Sequence, residues 1–253
     1  MNILEQIKWT FPPRLKKSGA SIEKYDTKEL IVIQCGLYPE PLIAMSDIHA
    51  QTALVLNKLE EKFQLNKFTV LTAGDMAGTL TMGTDGDPTE FYVRLAAICK
   101  EYHFVQGNHD NPDKKHLEEK LQCSTNGAYC MIQNGQTINT TIGKIAGVNG
   151  IISDKNHPYK ISEDTYLKYL TKALKKKPYV LLTHDTPALL SLKGNKEIYK
   201  LVSKHRPKIH MYGHCHHNDF HYYDNNTHYF NLDSRILVFI PLNMQMEEVI
   251  IKT

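Results

Sequence analysis

The feature that most constrains this chain is a recurring one: short apolar runs of strand length, each followed at once by a cluster of Asp, Asn or His. Residues 42–46 lead into Asp47-Ile48-His49, and residues 68–73 into Gly74-Asp75. Residues 102–106 precede Gly107-Asn108-His109-Asp110, residues 179–183 precede His184-Asp185, and residues 208–212 precede Gly213-His214-Cys215-His216. A chain of this kind places its polar chemistry at strand ends.

Between these runs, apolar residues recur at helical spacing. Residues 52–63 carry Val55, Leu56, Leu59 and Phe63 on one face. Asp87-Pro88-Thr89-Glu90 offers an N-cap, a proline at the first helical position and a glutamate three residues on, which predicts a helix to about Lys100. A third helix is expected after the cap residue Ser162, burying Tyr166, Leu170 and Leu174. It should end at Lys175, Lys176 and Lys177, where cations suit the carbonyl end of the dipole. A shorter helix over 196–205 has Ile198, Leu201 and Val202 on one face. Strands alternating with helices imply an α/β sheet. From Asp219 the character changes, and residues 220–223, 227–232, 236–240 and 248–251 read as successive strands, with Asn225-Asn226 a hairpin turn. Residues 1–28 are polar and basic around Phe11-Pro12-Pro13 and read as an appended arm, which leaves 29–253 as a single domain.

Composition narrows the function classes. At 253 residues, with 42% hydrophobic and 23% charged residues, the chain is long enough for one sizeable core and is neither disordered, collagenous nor coiled-coil. A formal charge of +3 is far from the basic excess of most nucleic-acid binders, so nucleic acid is not the expected partner. The one contrary hint is the arm, with Lys8, Trp9, Phe11, Arg14, Lys16 and Lys17, and packing of that arm on the domain surface is the preferred reading. Five scattered cysteines without a C-x-x-C pair fit neither a disulfide framework nor a cysteine zinc site, which points to a reducing, cytoplasmic location. No apolar run approaches the roughly 18 residues of a membrane span.

In an open α/β sheet, ligands sit in the crevice beyond the carboxyl ends of the strands, so residues just after strands converge there. Two carboxylates (Asp47, Asp75), an amide (Asn108) and four imidazoles (His49, His184, His214, His216) make an oxygen- and nitrogen-rich set. Such donors suit divalent Mn, Fe, Zn, Co or Ni. Seven donors exceed what one tetrahedral ion needs, whereas two ions sharing a carboxylate would use them all. Any one of these motifs alone would be loop polarity or an Asx turn; it is their joint occurrence that argues for a metal centre.

The ordered string SDIH, GD, GNHD, H and GHCH resembles the calcineurin-like metallophosphoesterase family over residues 42–216. The resemblance implies two packed mixed β-sheets flanked by helices, a four-layer αββα sandwich, and two divalent metal ions. It implies that Asp47, His49 and His216 hold one ion, that Asn108, His184 and His214 hold the other, and that Asp75 bridges them. The expected nucleophile is a water between the ions, attacking a phosphoester in line. His109, outside the ligand set, is then placed as general acid, and Asp110 as a carboxylate that orients an imidazole. Asn231-Leu232-Asp233-Ser234 departs from the proline and glycine common in the turn after the last motif, and no role is carried onto it.

Other polar residues have structural readings. Cys215 is turned away from its neighbours by alternation along an extended segment. His103 reads as a satisfied strand residue and His217 as a surface residue. The glycine-rich segment 76–87, with Gly78, Gly83 and Gly86, is expected at the rim of the site, as is the loop 153–160 with Lys155, Asn156 and His157. The expected activity is hydrolysis of small phosphodiesters, favoured over phosphomonoesters because only Arg14, Arg94, Arg206 and Arg235 could supply a guanidinium clamp and none adjoins a motif. A non-catalytic metal-containing scaffold and a nuclease with the same site are the rival readings. Scaffold relatives typically lose a ligand or the GNH histidine, and this chain keeps every one.

Overall fold

The computed structural model describes residues 1–16, 18, 26–77, 81, 83–124, 129–189 and 192–251. Its strands and helices run in order β1 (Asn2–Phe11), β2 (Asp26–Cys35), β3 (Leu42–Ser46), α1 (Thr52–Lys62), β4 (Thr69–Ala73), α2 (Thr89–Ile98), β5 (Glu101–Val105), α3 (Lys114–Ser124), β6 (Tyr129–Met131) and β7 (Thr137–Thr140). They continue as β8 (Gly143–Val148), β9 (Ile151–Ile152), β10 (Lys160–Ile161), α4 (Glu163–Leu174), β11 (Val180–Thr183), α5 (Lys196–His205), β12 (Ile209–Tyr212), β13 (His221–Asp224), β14 (Thr227–Asn231) and β15 (Arg235–Pro241).

The apolar runs become strands buried on both faces: every residue of β3, β4, β11 and β12 is buried. One sheet has the order β1-β2-β15-β3-β4-β5-β6, and a second the order β13-β14-β12-β11-β8-β7. In each, parallel neighbours (β3 to β6; β8, β11, β12 and β14) are joined to antiparallel ones. β9 and β10 form a small parallel pair apart from both. The inner faces meet in one apolar cluster that includes Ile33, Ala44 and Leu71 from the first sheet and Ile145, Leu182 and Met211 from the second. The outer face of the first sheet packs α1, α2 and α3, with Leu56, Leu95 and Leu117 in its cluster. The outer face of the second packs α4 and α5, with Tyr166 and Ile198. The expected four-layer αββα sandwich is therefore present.

Several local expectations need correction. Residues 248–251 form no strand: Met246–Glu248 is a short 3-10 turn, closed by the Glu248 carboxylate accepting the Gln245 N–H, and only the Phe63–Ile250 bridge follows. α2 begins at Thr89 rather than Pro88, and Asp87 Oδ1 accepts the Thr89 N–H at 2.9 Å. The Ser162 hydroxyl, expected to cap α4, donates instead to Thr165 Oγ1. α5 is capped by Asn195, whose side chain accepts from the Glu197 and Ile198 N–H groups. Asn225 and Asn226 both have positive φ, 48° and 65°, as a primed hairpin turn requires. Asn2–Phe11 pairs antiparallel with β2 as the edge strand of the first sheet and turns Trp9 and Phe11 into the core under the helices. β2 itself spans residue 28, where the arm was expected to end.

His210 in β12 shows how burial acts on an imidazole. It has no exposed surface, its Nε2 lies 2.9 Å from Thr183 Oγ1, and burial pushes its pKa down to about 3. Below pH 6.5 the unfolded chain therefore binds a proton that the folded chain refuses, and stability falls as pH drops from about 6.5 towards 3. At pH 5 this amounts to about 2 kcal/mol. In urea unfolding at pH 7 and pH 5, His210→Leu should lose about 2 kcal/mol less than the wild type between the two pH values; equal losses would remove His210 from the acid response.

Candidate metal centre

The strand ends bring the polar clusters of both sheets to one place. Asp47, Asp75 and Asn108 follow β3, β4 and β5 of the first sheet, and His184 and His214 follow β11 and β12 of the second. The two halves are tied across the gap. The Asp47 carboxylate accepts the His214 N–H at 3.0 Å and the Ser46 hydroxyl at 2.7 Å, and His184 Nδ1 lies 2.7 Å from the Ala73 carbonyl.

Two groups of donor atoms, each within 4.8 Å of one another, could hold metal ions: Asp47, His49 and Asp75, and Asp75, His184 and His214. Asp75 is common to both. The Asn108 Oδ1 lies 3.2 Å from His184 Nε2, beside the second group. The sequence expectations for Asp47, His49, Asp75, Asn108, His184 and His214 thus refer to side chains that do meet. His216 does not join them: it is exposed, stands outside both groups, and lines a surface cavity of about 410 Å³ with Lys8, Glu29 and Arg235.

The donor chemistry fits a cation. A carbonyl has no proton to give, so His184 Nδ1 donates to Ala73, and the neutral ring then turns a lone pair at Nε2 towards Asp75 Oδ2 (3.3 Å) and Asn108 Oδ1 (3.2 Å). Three electron-rich atoms facing one another without a proton repel, and a cation between them reverses the sign of each contact. Asp47 and Asp75 are 5% and 1% exposed, and among the described residues neither is paired with a lysine or arginine side chain. In the protein alone, protons carry this load. Burial lowers the His184 pKa, but the charge of Asp75 and its hydrogen bond outweigh it and raise the ring above its ordinary value; the same partner holds Asp75 low against burial. Burial raises Asp47 and pushes His49 down to about 3 and His214 to about 4.

The backbone around these groups is forced into uncommon conformations. Asp47, His49, Asp75 and His214 have positive φ of 57°, 53°, 54° and 68°. A Cβ at Gly107 would lie 2.1 Å from Asp75 Oδ1, so the glycine of the GNHD motif is what lets that loop approach the carboxylate.

His109 donates its backbone N–H to Asp75 Oδ1 at 2.8 Å, and its ring, 5.9 Å from that of His49, remains partly open to solvent. Its Nδ1 lies 3.1 Å from Asp85 Oδ1, a partner that no strand-end pattern pointed to. Among the described residues Asp110 bonds to no imidazole. Its fully buried Oδ2 accepts from the Asp75 N–H (2.8 Å), the Gly107 N–H (2.9 Å) and the Tyr92 hydroxyl (3.0 Å), and burial, then Asp75, raises its pKa to about 6. It fixes the peptides that carry the donors. Asn149 was likewise unforeseen: its Oδ1 accepts the Gln106 N–H at 2.7 Å, just ahead of the GNHD loop.

His217, expected at the surface, is buried with Nε2 2.8 Å from the Lys193 carbonyl. His103 is buried with Nε2 3.3 Å from Glu101, and Cys215 belongs to neither donor group. Of the segment 76–87, Gly78 lies outside the described residues, while Gly86 pairs with the 109–111 backbone. Arg14, on the arm, is close enough to His49 for its charge to act on that ring, and its Nε lies 3.5 Å from Asp26.

A family model for calcineurin-like phosphoesterases matches residues 40–218, the span that holds every donor just described. The chain belongs to this family. Calcineurin-like phosphoesterases typically use a binuclear divalent metal centre, and membership with this donor set supports metal-dependent phosphoester hydrolysis. Solved structures share the fold of this phosphoesterase. A phosphopantetheinyl hydrolase from Mycobacterium tuberculosis is 13% identical, with a TM-score of 0.50 over 79% of this chain and 90% of that one. A Thermus thermophilus protein is 15% identical, with a TM-score of 0.50 over 79% of this chain and 88% of that one. At such identities the likeness concerns fold alone. No curated protein sequence matches the chain. Among the described residues no helix is long and apolar enough to cross a membrane.

Proposed function

We propose that this calcineurin-like phosphoesterase hydrolyses small phosphodiesters at a two-ion site. Asp47 and His49 would hold one ion, with His216 joining them by a side-chain rotation. Asn108, His184 and His214 would hold the other, and Asp75 would bridge the pair. The observation that carries the reading is the sharing of Asp75 between two three-donor groups, since a single ion would need only one of them. Two divalent ions, when bound, supply a nucleophilic water at neutral pH and neutralise charge on the phosphoryl oxygens.

The chain's own residues supply the rest. His109 Nδ1 is engaged by Asp85, which leaves Nε2 to give a proton to the leaving oxygen as the phosphorus–oxygen bond breaks. Asp110 keeps the Asp75 and Gly107 peptides in place. The diester preference is supported by the arginines. Arg235 is spent on Glu29 and on the His217 and Asn218 carbonyls, Arg14 is drawn towards Asp26, Arg94 pairs with Glu60, and Arg206 turns back to the Ser203 carbonyl at the end of α5. Each guanidinium already has a partner, and a diester, with one charge less, needs a clamp less than a dianionic monoester does. All five cysteines are unpaired, which supports a cytoplasmic setting, and manganese is the ion to try first. The domain would be residues 29–253, with the arm of 1–28 adding its edge strand.

Asp75→Asn removes the charge that lets two cations share a site, so metal content measured by elemental analysis should fall from two ions to one or none, and turnover should drop at least a hundredfold. A variant with normal content and turnover ends the two-ion assignment. His109→Ala should keep both ions and slow hydrolysis about 10² to 10⁴-fold for alkyl leaving groups. The loss should be much smaller for nitrophenyl groups, whose oxygen needs little protonation, and equal losses would argue against an acid role. Matched aryl monoester and diester assays under saturating Mn²⁺ should give a diester kcat/KM at least equal to that of the monoester; a hundredfold monoester preference rejects the substrate class.

A further inference from the structure

One carboxylate outside the metal donors binds two imidazoles at once. Asp85 Oδ1 lies 3.1 Å from His109 Nδ1, and its Oδ2 lies 2.6 Å from His157 Nε2. These residues come from three separate segments: the glycine-rich stretch after β4, the GNHD loop, and the loop between β9 and β10. Asp85 is held at its post by the backbone on its own side. The Gly86 N–H donates to the His109 carbonyl at 3.0 Å, and the Asn111 N–H donates to the Gly86 carbonyl at 2.8 Å.

The loop that carries His157 is anchored at its base to both halves of the site. The Gly150 N–H donates to the Gln106 carbonyl at 2.8 Å, two residues before Asn108, and the Ile152 N–H donates to the carboxylate of Asp185, next to His184. Backbone bonds from Ile151 to Tyr159 and from Ser153 to Ile161 close it into a compact lobe. The tip, Asp154, Lys155 and Asn156, is exposed and has no backbone-to-backbone bond to other described parts of the domain. The side chain of His157 holds the tip end of the lobe towards the cleft, its Nδ1 also 2.7 Å from the Pro158 carbonyl, while Tyr159 at the base of the lobe interacts with the side chain of Gln106. With an oxygen acceptor at each ring nitrogen, the imidazole is fixed in the plane that reaches Asp85.

We propose that His157 is a positioning residue: through Asp85 it latches the 153–159 loop to the imidazole of His109, so that the loop forms a fixed wall of the substrate site on the leaving-group side. The proposal rests on the phosphoesterase reading for its kinetic consequence, but the latch itself is a property of the protein alone. One carboxylate then sets two things together, the direction of the His109 ring and the distance of the loop from it. The group that meets the wall is the leaving alcohol of the ester, and Lys155 and Asn156 at the tip offer it a cation and an amide.

Two measurements test this. In limited trypsin digestion read by mass spectrometry, cleavage after Lys155 should be at least tenfold faster in His157→Ala and in Asp85→Asn than in the wild type. His157→Gln, which keeps a donor for Asp85, should restore most of the protection. Unchanged cleavage at Lys155 overturns the latch whether or not the enzyme turns over. In steady-state kinetics, His157→Ala should raise KM for a diester about tenfold with kcat within threefold, at unchanged metal content. Asp85→Asn should raise KM similarly and also lower kcat for alkyl leaving groups, and that kcat loss should vanish in a His109→Ala background. A kcat loss of equal size with and without His109, or a KM unaffected by His157→Ala, overturns the coupling. A wild-type protein that hydrolyses no phosphoester, yet shows the protease effect, would sink the function proposed above and leave the latch standing.

Discussion

The arrangement around the strand ends depends on one buried carboxylate, that of Asp75. Left alone, a charge with 1% exposure would cost several kcal/mol of lost hydration. The structure surrounds it instead: the His109 N–H reaches Oδ1, His184 faces Oδ2, and Asp110 holds the Asp75 N–H. A second buried carboxylate, Asp47, is served by the His214 N–H and the Ser46 hydroxyl. Two such groups in contact with the same imidazoles repel unless positive charge lies between them. The fold is therefore built for cations, and the raised imidazole of His184 is a partial substitute.

This demand explains the strained backbone. Four of the candidate donors sit at positive φ, a conformation that costs roughly 1 to 3 kcal/mol for each non-glycine residue and persists only when surrounding contacts fix it. Those contacts are visible. Lys28, with no exposed surface, donates to the Asp47 carbonyl at 2.9 Å from below, next to Asp26 at 3.2 Å. Burial lowers the Lys28 pKa, and the neighbouring carboxylates Asp26 and Asp47 counter that effect. The lysine thus serves the site without touching a donor atom, by neutralising the peptide dipole that the Asp47 turn leaves exposed to the interior.

The same physics decides how much could be read from the sequence. Donors that follow parallel strands are legible because strand ends are local signals, and Asp47, Asp75, Asn108, His184 and His214 all lie within three residues of one. The five strands that precede these donors were visible to within a residue or two for the same reason. Asp85, by contrast, sits ten residues beyond Asp75 in a polar segment, and nothing local distinguishes it from a turn aspartate. Its meaning comes from the pairing of Gly86 with the 109–111 backbone, a contact between distant segments. Asp110 was visible but misread: adjacency to His109 suggested an imidazole partner, whereas its buried side chain turns inward to peptide N–H groups. α3 was missed because only Leu117 and Leu121 mark its buried face among charged neighbours. β1 was missed because an edge strand with one exposed face lacks a continuous apolar run.

One consequence concerns the two sheets. Asp47, His49 and Asp75 come from the first sheet alone, whereas the second donor group needs His184 and His214 from the other. The first half of the site could in principle be set by one sheet's hydrogen-bond ladder, but the second half exists only if the sheets keep their distance and stagger. That distance is fixed by the apolar cluster between them, with Ala44 and Leu71 facing Leu182 and Met211, and close-packed interiors transmit a change of even one methylene. Gly213 marks how tight the join is, since a Cβ there would fall 2.2 Å from Ser46 Oγ and 2.4 Å from Asp47 Oδ2. The inter-sheet core and the metal chemistry are thus one constraint. A core substitution that shifts the second sheet moves the side chains of both His184 and His214 away from Asp75, whereas it reaches Asp47 only through the His214 N–H, so the two halves of the site differ in how strongly they depend on packing far from the cleft.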